Sequence, residues 1–155
     1  MTPPRWPYWL WLYALGCGGA EAAPGAVVPI LDPTTFEAQV QPMLVRLCAQ
    51  TACHGADDRA FFLYSPFGAR AIRSTDHPPL TRAETSANLE ACRRQLEASP
   101  ELLESPLLKR PLRPEAGGGP HGGGAQFYDR VDPSYVLFAC WILGGGAEGE
   151  PECRP

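Results

Sequence analysis

Cys48-Ala-Gln-Thr-Ala-Cys53-His54-Gly55 brings two thiols and an imidazole into one short run. Two cysteines followed directly by histidine is the arrangement that fixes a c-type haem: the sulfurs form thioethers and the imidazole is the proximal iron ligand. The usual motif has two residues between the cysteines, whereas here there are four. The longer loop must bulge for both sulfurs to reach the same macrocycle while His54 comes up beneath the iron. Three other uses of these residues stay open. They are a structural disulfide Cys48–Cys53, a zinc site completed by a ligand from elsewhere, and a catalytic cysteine, which lacks an evident third partner.

A haem with His54 on one face has a second axial position, and the chain offers His121, His77 and Met43 for it, or nothing. Met43 falls inside the helical pattern leading into the motif, where packing is the ordinary role. His77 sits in the polar turn Thr75-Asp76-His77-Pro78-Pro79, which reads as a solvated loop. His121 is flanked by Gly117 to Gly119 and Gly122 to Gly124. Such glycines let a loop approach a flat ring without Cβ clashes, so His121 is the candidate distal ligand. With His54 and His121 both on iron, the ligation is bis-histidine.

The elements that must position these groups read as helices. Asp32-Pro33 supplies a cap and a first-turn proline, and Phe36, Val40, Met43/Leu44 and Leu47 recur at helical spacing toward Cys48, with Pro42 expected to kink or restart the run. A second helix is expected to start at Thr85/Ser86 and carry Leu89, Cys92 and Leu96, with a short turn from Ser99-Pro100-Glu101 behind it. A third starts at Asp132-Pro133, carries Tyr135, Val136, Phe138, Ala139, Trp141 and Ile142, and ends at Gly144-Gly145-Gly146. Tyr135 and Trp141 read as core or ring-edge packing. The low-complexity stretch from Ala116 to Ala125 reads as a flexible loop. No segment alternates with period two, so the expected class is all-α.

The chain has 155 residues, with 13 Lys+Arg against 17 Asp+Glu, and its basic residues are scattered. That balance argues against nucleic-acid binding and against a polybasic membrane patch. No carboxylate pair suggests general acid/base work, so no catalytic residue is assigned and the chain reads as a carrier, not an enzyme. Six cysteines in so short a chain point to an oxidising compartment. Residues 1–16 hold one charge, Arg5, and then an apolar run of signal-peptide length. Ala14-Leu15-Gly16-Cys17-Gly18-Gly19 resembles a bacterial lipobox, with Ala14 where leucine is usual, and makes Cys17 the candidate lipidated residue. The alternative is an ordinary signal peptide cut near Ala20 to Ala23. The expected organisation is a leader over 1–16, a tether over 17–30 and one domain over 31–155, on the periplasmic side and membrane-anchored. Cys92, Cys140 and Cys153 are left over, and a Cys92–Cys140 or a Cys140–Cys153 disulfide would staple the core or the tail respectively.

Taken in order, Phe36…Val40-Gln-Pro42-Met-Leu44…Cys48-x4-Cys53-His54-Gly55, Ser105-Pro-Leu-Leu-Lys109-Arg-Pro111-Leu112, His121-Gly-Gly-Gly124…Phe127 and Asp132-Pro133-Ser-Tyr135…Trp141-Ile142…Gly145-Gly146-Ala147 resemble the divergent cytochrome c domains of the planctomycete type. The likeness spans residues 34–147. Members of that family often carry the four-residue spacing between haem cysteines. The resemblance implies a small cytochrome c-like helical fold with long Gly/Pro-rich loops around one covalent haem, electron transfer outside the cytoplasm, and a redox partner protein docking at the exposed haem edge. Two other roles stay open: a lipid-anchored binding domain of this fold without redox turnover, and a haem sensor or peroxidase-like protein with an open sixth site.

Overall fold

The computed structural model describes residues 27–73 and 75–144; the leader, Cys17 and Cys153 lie outside them. Among the described residues the structure is helical, with a single isolated parallel bridge, Leu112 to Phe127, and no strand. The all-α expectation holds. No helix among the described residues is long and apolar enough to cross a membrane.

The helix leading to the motif is continuous but changes register. It opens as α1, Pro33–Thr35, where the Asp32 carboxylate accepts from the Thr34 and Thr35 amides at 3.2 and 2.8 Å. It passes through a π turn, Phe36–Val40, and resumes as α2, Gln41–Leu47. In the π turn the Gln41 amide donates to the Phe36 carbonyl, five residues back. This wider turn is where the chain admits Pro42, which has no amide hydrogen and would crowd the carbonyl one ordinary turn earlier. The expected kink is thus absorbed as a register change. Phe36, Val40, Met43 and Leu44 all face inward.

α3, Arg82–Glu97, begins earlier than its apolar pattern suggests, because Thr81 and Glu84 form a capping box. Its first half buries polar side chains, Glu84 and Asn88, and its second half buries Ala91, Cys92 and Leu96. Glu84 pairs with Arg70 through Arg70 Nε to Oε1 and Nη2 to Oε2, both at 2.9 Å. It also accepts from the Ala71 amide at 2.8 Å and from the Thr81 amide at 2.9 Å. The Arg70 hydrogen bond, the largest of several, holds its carboxyl down at about 2. Asn88 clamps the residue-64 backbone from both sides, accepting from the Tyr64 amide at 2.7 Å and donating to the Tyr64 carbonyl at 2.9 Å.

A 3-10 turn, Leu102–Glu104, leads into the short α4, Pro106–Lys109, which buries Leu107 and Leu108. A second 3-10 turn, Pro114–Ala116, opens the glycine-rich segment. α5, Pro133–Ile142, is capped by Asp132, whose carboxylate accepts from the Ser134 amide at 2.8 Å. It returns to the first helix: Trp141 packs on Phe36 with ring centres 5.3 Å apart, and its Nε1 donates to the Asp32 carbonyl at 3.0 Å. Burying a tryptophan while satisfying its one donor fixes the crossing of the first and last helices.

Candidate functional site

The motif loop starts where α2 ends. Cys48 and Ala49 both donate to the Leu44 carbonyl, and the Gln50 side-chain amide donates to the carbonyls of Val45 and Arg46. The chain then coils into successive turns, Cys53 to Gln50 at 2.8 Å and His54 to Cys48 at 3.0 Å. Gln50, Thr51 and Ala52 are exposed while Cys53 and His54 turn inward. The extra residues between the cysteines are therefore spent on an outward bulge. Gly55 closes it, since a Cβ there would lie 2.3 Å from the Ala49 carbonyl oxygen.

His54 is oriented by the segment C-terminal to it. Its Nδ1 lies 2.8 Å from the Phe61 carbonyl, and because a carbonyl only accepts, Nδ1 carries the proton and Nε2 keeps its lone pair. The Leu63 amide donates back to the His54 carbonyl at 2.7 Å, which ties the Phe61 segment to the motif. Burial lowers the His54 pKa below 6.5, with the nearby His121 and Arg59 adding to it against the Phe61 hydrogen bond. The imidazole is consequently held neutral, the form that binds a metal.

His121 comes from a closed loop spanning residues 113–126. The Phe127 amide donates to the Pro111 carbonyl at 3.0 Å and the Arg113 amide to the Phe127 carbonyl at 3.1 Å, which shuts the base. Gly118 settles the loop against its own start: a Cβ there would sit 1.7 Å from the Leu112 carbonyl oxygen. The close approach the glycines permit is thus to the protein's own backbone at Gly118. The loop is internally hydrogen-bonded instead of the featureless linker its composition suggests. At the tip, the Gly124 amide donates to the His121 carbonyl at 2.9 Å and His121 Nδ1 donates to the Gly124 carbonyl at 2.6 Å. Both histidines are therefore locked in the same tautomer.

The two rings face one cavity of about 440 Å³, lined by Cys48, Cys53, His54, Phe61, His121 and Phe127 among others. Their centres lie 5.9 Å apart, with planes 18° from parallel. That separation lies within the range of stacked ring pairs, and it is also close to the roughly 6 Å expected when one metal atom is bonded on both sides through nitrogen bonds of about 2 Å. No Nε2 hydrogen bond is made by either ring among the described residues. Leu44, Leu47, Leu107 and Phe138 supply apolar wall from α2, α4 and α5. The volume lies in the range of small-molecule and cofactor sites. Two imidazoles, two thiols and an apolar enclosure are a donor set compatible with a haem, and in that sense the residues fit it.

The other uses of the motif fare differently. Cys48 and Cys53 are free thiols, so the Cys48–Cys53 disulfide does not form. Burial, followed by the neighbouring Cys53, pushes the Cys48 thiol up to about 12, far from the thiolate that a nucleophile needs. Among the described residues no group of three or more His, Cys, Asp or Glu side chains converges as a metal site. Zinc would need such a group, whereas haem iron takes four of its ligands from the macrocycle.

Cys92 is a free, fully buried thiol and Cys140 is disulfide-bonded, which corrects the Cys92–Cys140 alternative. Burial raises the Cys92 thiol pKa, and the residue behaves as a small apolar side chain of α3. Cys153 and Cys17 lie outside the described residues. His77 and Met43 are not brought to the cavity. His77 Nδ1 donates to the Pro66 carbonyl at 2.8 Å on the surface, and Met43 is core. Sequence reasoning misses the carbonyls that orient the imidazoles, because a backbone acceptor leaves no residue-type signal. It also misses Arg59, Gln95, Arg110 and Gln126 at the cavity, although Arg110 stands within the Ser105 to Leu112 stretch that carries part of the family resemblance. Compared with family models, curated proteins and solved structures, the chain has no match.

Proposed function

We propose that this chain is an exported mono-haem c-type cytochrome that carries single electrons between partner proteins. The observation that carries the reading is the pair of imidazoles, His54 and His121, each with Nδ1 pinned to a carbonyl and ring centres 5.9 Å apart across a cavity bordered by Cys48 and Cys53. Cys48 and Cys53 would hold the haem as thioethers, with His54 proximal and His121 distal. The haem would supply a one-electron iron couple.

The chain's own contribution is positioning and exclusion. The Phe61 and Gly124 carbonyls fix the tautomers and raise imidazole basicity. The apolar wall would shield a bound haem, and two imidazole ligands would leave no coordination place for substrate, which suits a carrier better than a sensor or peroxidase. A disulfide at Cys140 supports an oxidising compartment, and with the lipobox-like Cys17 it favours a periplasmic lipoprotein anchored to a membrane. The likeness to planctomycete-type cytochrome c domains supports the same reading.

The test is to mature the chain in an exporting host with a haem-attachment system and record the reduced pyridine spectrum. A covalent haem band that survives acid extraction is expected, with a low-spin ferric spectrum turning high-spin in His121→Ala. A purified chain free of covalent haem would sink the proposal.

A further inference from the structure

The cavity's charge does not match that of the chain. The whole protein has a formal charge of −4, yet Arg59 and Arg110 line the cavity and no Asp or Glu among the described residues does. Among the described residues Arg59 pairs with Asp58 alone, 3.5 Å away in an exposed neighbouring pair, and Arg110 makes no side-chain ion pair. Exposed pairs of that kind hold a guanidinium weakly. The contrast is with Lys109, next to Arg110, which is bound to Glu104, and with Arg130, which shares that glutamate at 3.2 Å. The chain thus neutralises the cations just off the cavity and leaves those on it available. Arg59 is near enough to His54 to depress its protonation. Two side-chain amides, Gln95 and Gln126, line the same cavity and add neutral donors. An apolar enclosure with two available guanidinium forks fits a ligand that is largely apolar and carries carboxylates.

We infer that Arg59 and Arg110 recognise the two propionate carboxylates of the haem assigned to this cavity. The inference rests on the haem reading and goes beyond it by naming the groups that orient the macrocycle before its thioethers form. Two charge-assisted contacts would fix which edge of the macrocycle carries the propionates and so turn the opposite, vinyl-bearing edge toward Cys48 and Cys53; the flip that exchanges the two propionates also exchanges the two vinyls, and that choice is left to the thiols.

The test uses the full-length Cys48→Ala/Cys53→Ala chain, in which binding is reversible, titrated with haem and with haem dimethyl ester. The ester should bind about tenfold or more weakly, and Arg59→Gln/Arg110→Gln should weaken haem by a similar factor without changing the ester. Circular dichroism checks that these surface changes leave the fold intact. In the matured wild-type chain, the propionate bending bands in the resonance Raman spectrum should shift on the same double substitution. Equal affinity for haem and ester, or a double variant that binds haem as before, overturns the carboxylate assignment and leaves the haem reading standing. Absence of haem from both the thiol-free and the matured chain overturns both.

Discussion

Glu84 and His54 are both titratable side chains held against carbonyl- and amide-rich loops, but their surroundings are completed differently. Around Glu84 the protein supplies everything: a bidentate arginine, two backbone amides and a hydroxyl, with the Arg70 and Glu84 side chains only 7% and 1% exposed. Around His54 it supplies one hydrogen bond, to Nδ1, and leaves Nε2 without one on a ring that lines a cavity shared with another imidazole. A polar cluster closed on itself stabilises a fold, whereas one finished on every side but one is prepared for something the chain does not contain. The contrast supports the proposal that the second cluster is the functional one.

The largest expected effect separates the two clusters outright. His54→Ala should abolish covalent haem incorporation in the exporting host, read from the pyridine spectrum, while changing the thermal midpoint of the apoprotein little. Glu84→Ala should do the reverse. It leaves Arg70 buried without its counter-charge, a loss of about 3 kcal/mol and about 10 °C in the apoprotein midpoint. A His54→Ala chain that still carries haem at the wild-type level would erase the distinction. The next effect is at Gly118, where an alanine Cβ would strike the Leu112 carbonyl 1.7 Å away. Gly118→Ala should cost about 2 kcal/mol and push the His121 loop out, converting a low-spin spectrum toward high spin.

The open cluster is legible in the sequence and the closed one is not. Cys48, Cys53 and His54 are adjacent in the chain, so type and spacing announce them, and the glycines around His121 mark its loop as unusual. Glu84 is joined to a residue 14 positions away by an ion pair. An isolated glutamate on a helix reads as solvent-facing, and the Thr81 capping box escapes notice because the apolar pattern of α3 only begins at Leu89. Pro42 is legible as a perturbation and not as a π turn, since one missing amide is compatible with several local repairs. The tautomers of His54 and His121 are set by backbone carbonyls, which every residue has.

Acid titration sharpens the comparison by giving each cluster its own window. His54 in the folded apoprotein has a pKa below 6.5, so the unfolded chain binds more protons in that range. Its contribution to stability is full above pH 6.5 and falls as pH drops from there through the folded value. Glu84 is held at about 2 against 4.5, so its contribution is full above 4.5 and is lost as pH falls toward 2. Apoprotein stability followed by urea unfolding should therefore decline in two stages. His54→Gln should flatten the first stage alone, and Glu84→Gln should shrink only the second, to which Asp32 and Glu104, also held below the ordinary carboxylate value by hydrogen bonds, contribute as well. One stage in the wild type, or both altered by either substitution, would mean that the clusters are not independent.

The smallest effect tests whether burial, and not the chemical identity of the pair, makes the Glu84 cluster strong. Arg93 and Glu97 form the same kind of ion pair on α3 at 3.3 Å, but their side chains are 52% and 45% exposed. Water already solvates both charges, and arginine preceding glutamate by one turn is the weaker orientation relative to the helix dipole. Glu97→Gln should change stability by less than about 0.5 kcal/mol, and that difference should shrink further in added salt. The loss at Glu84 should hold up under the same salt, because its partners are screened by protein and not by ions. Equal costs at the two positions would remove burial as the explanation, and the contrast between the closed and open clusters would then have to rest on geometry alone.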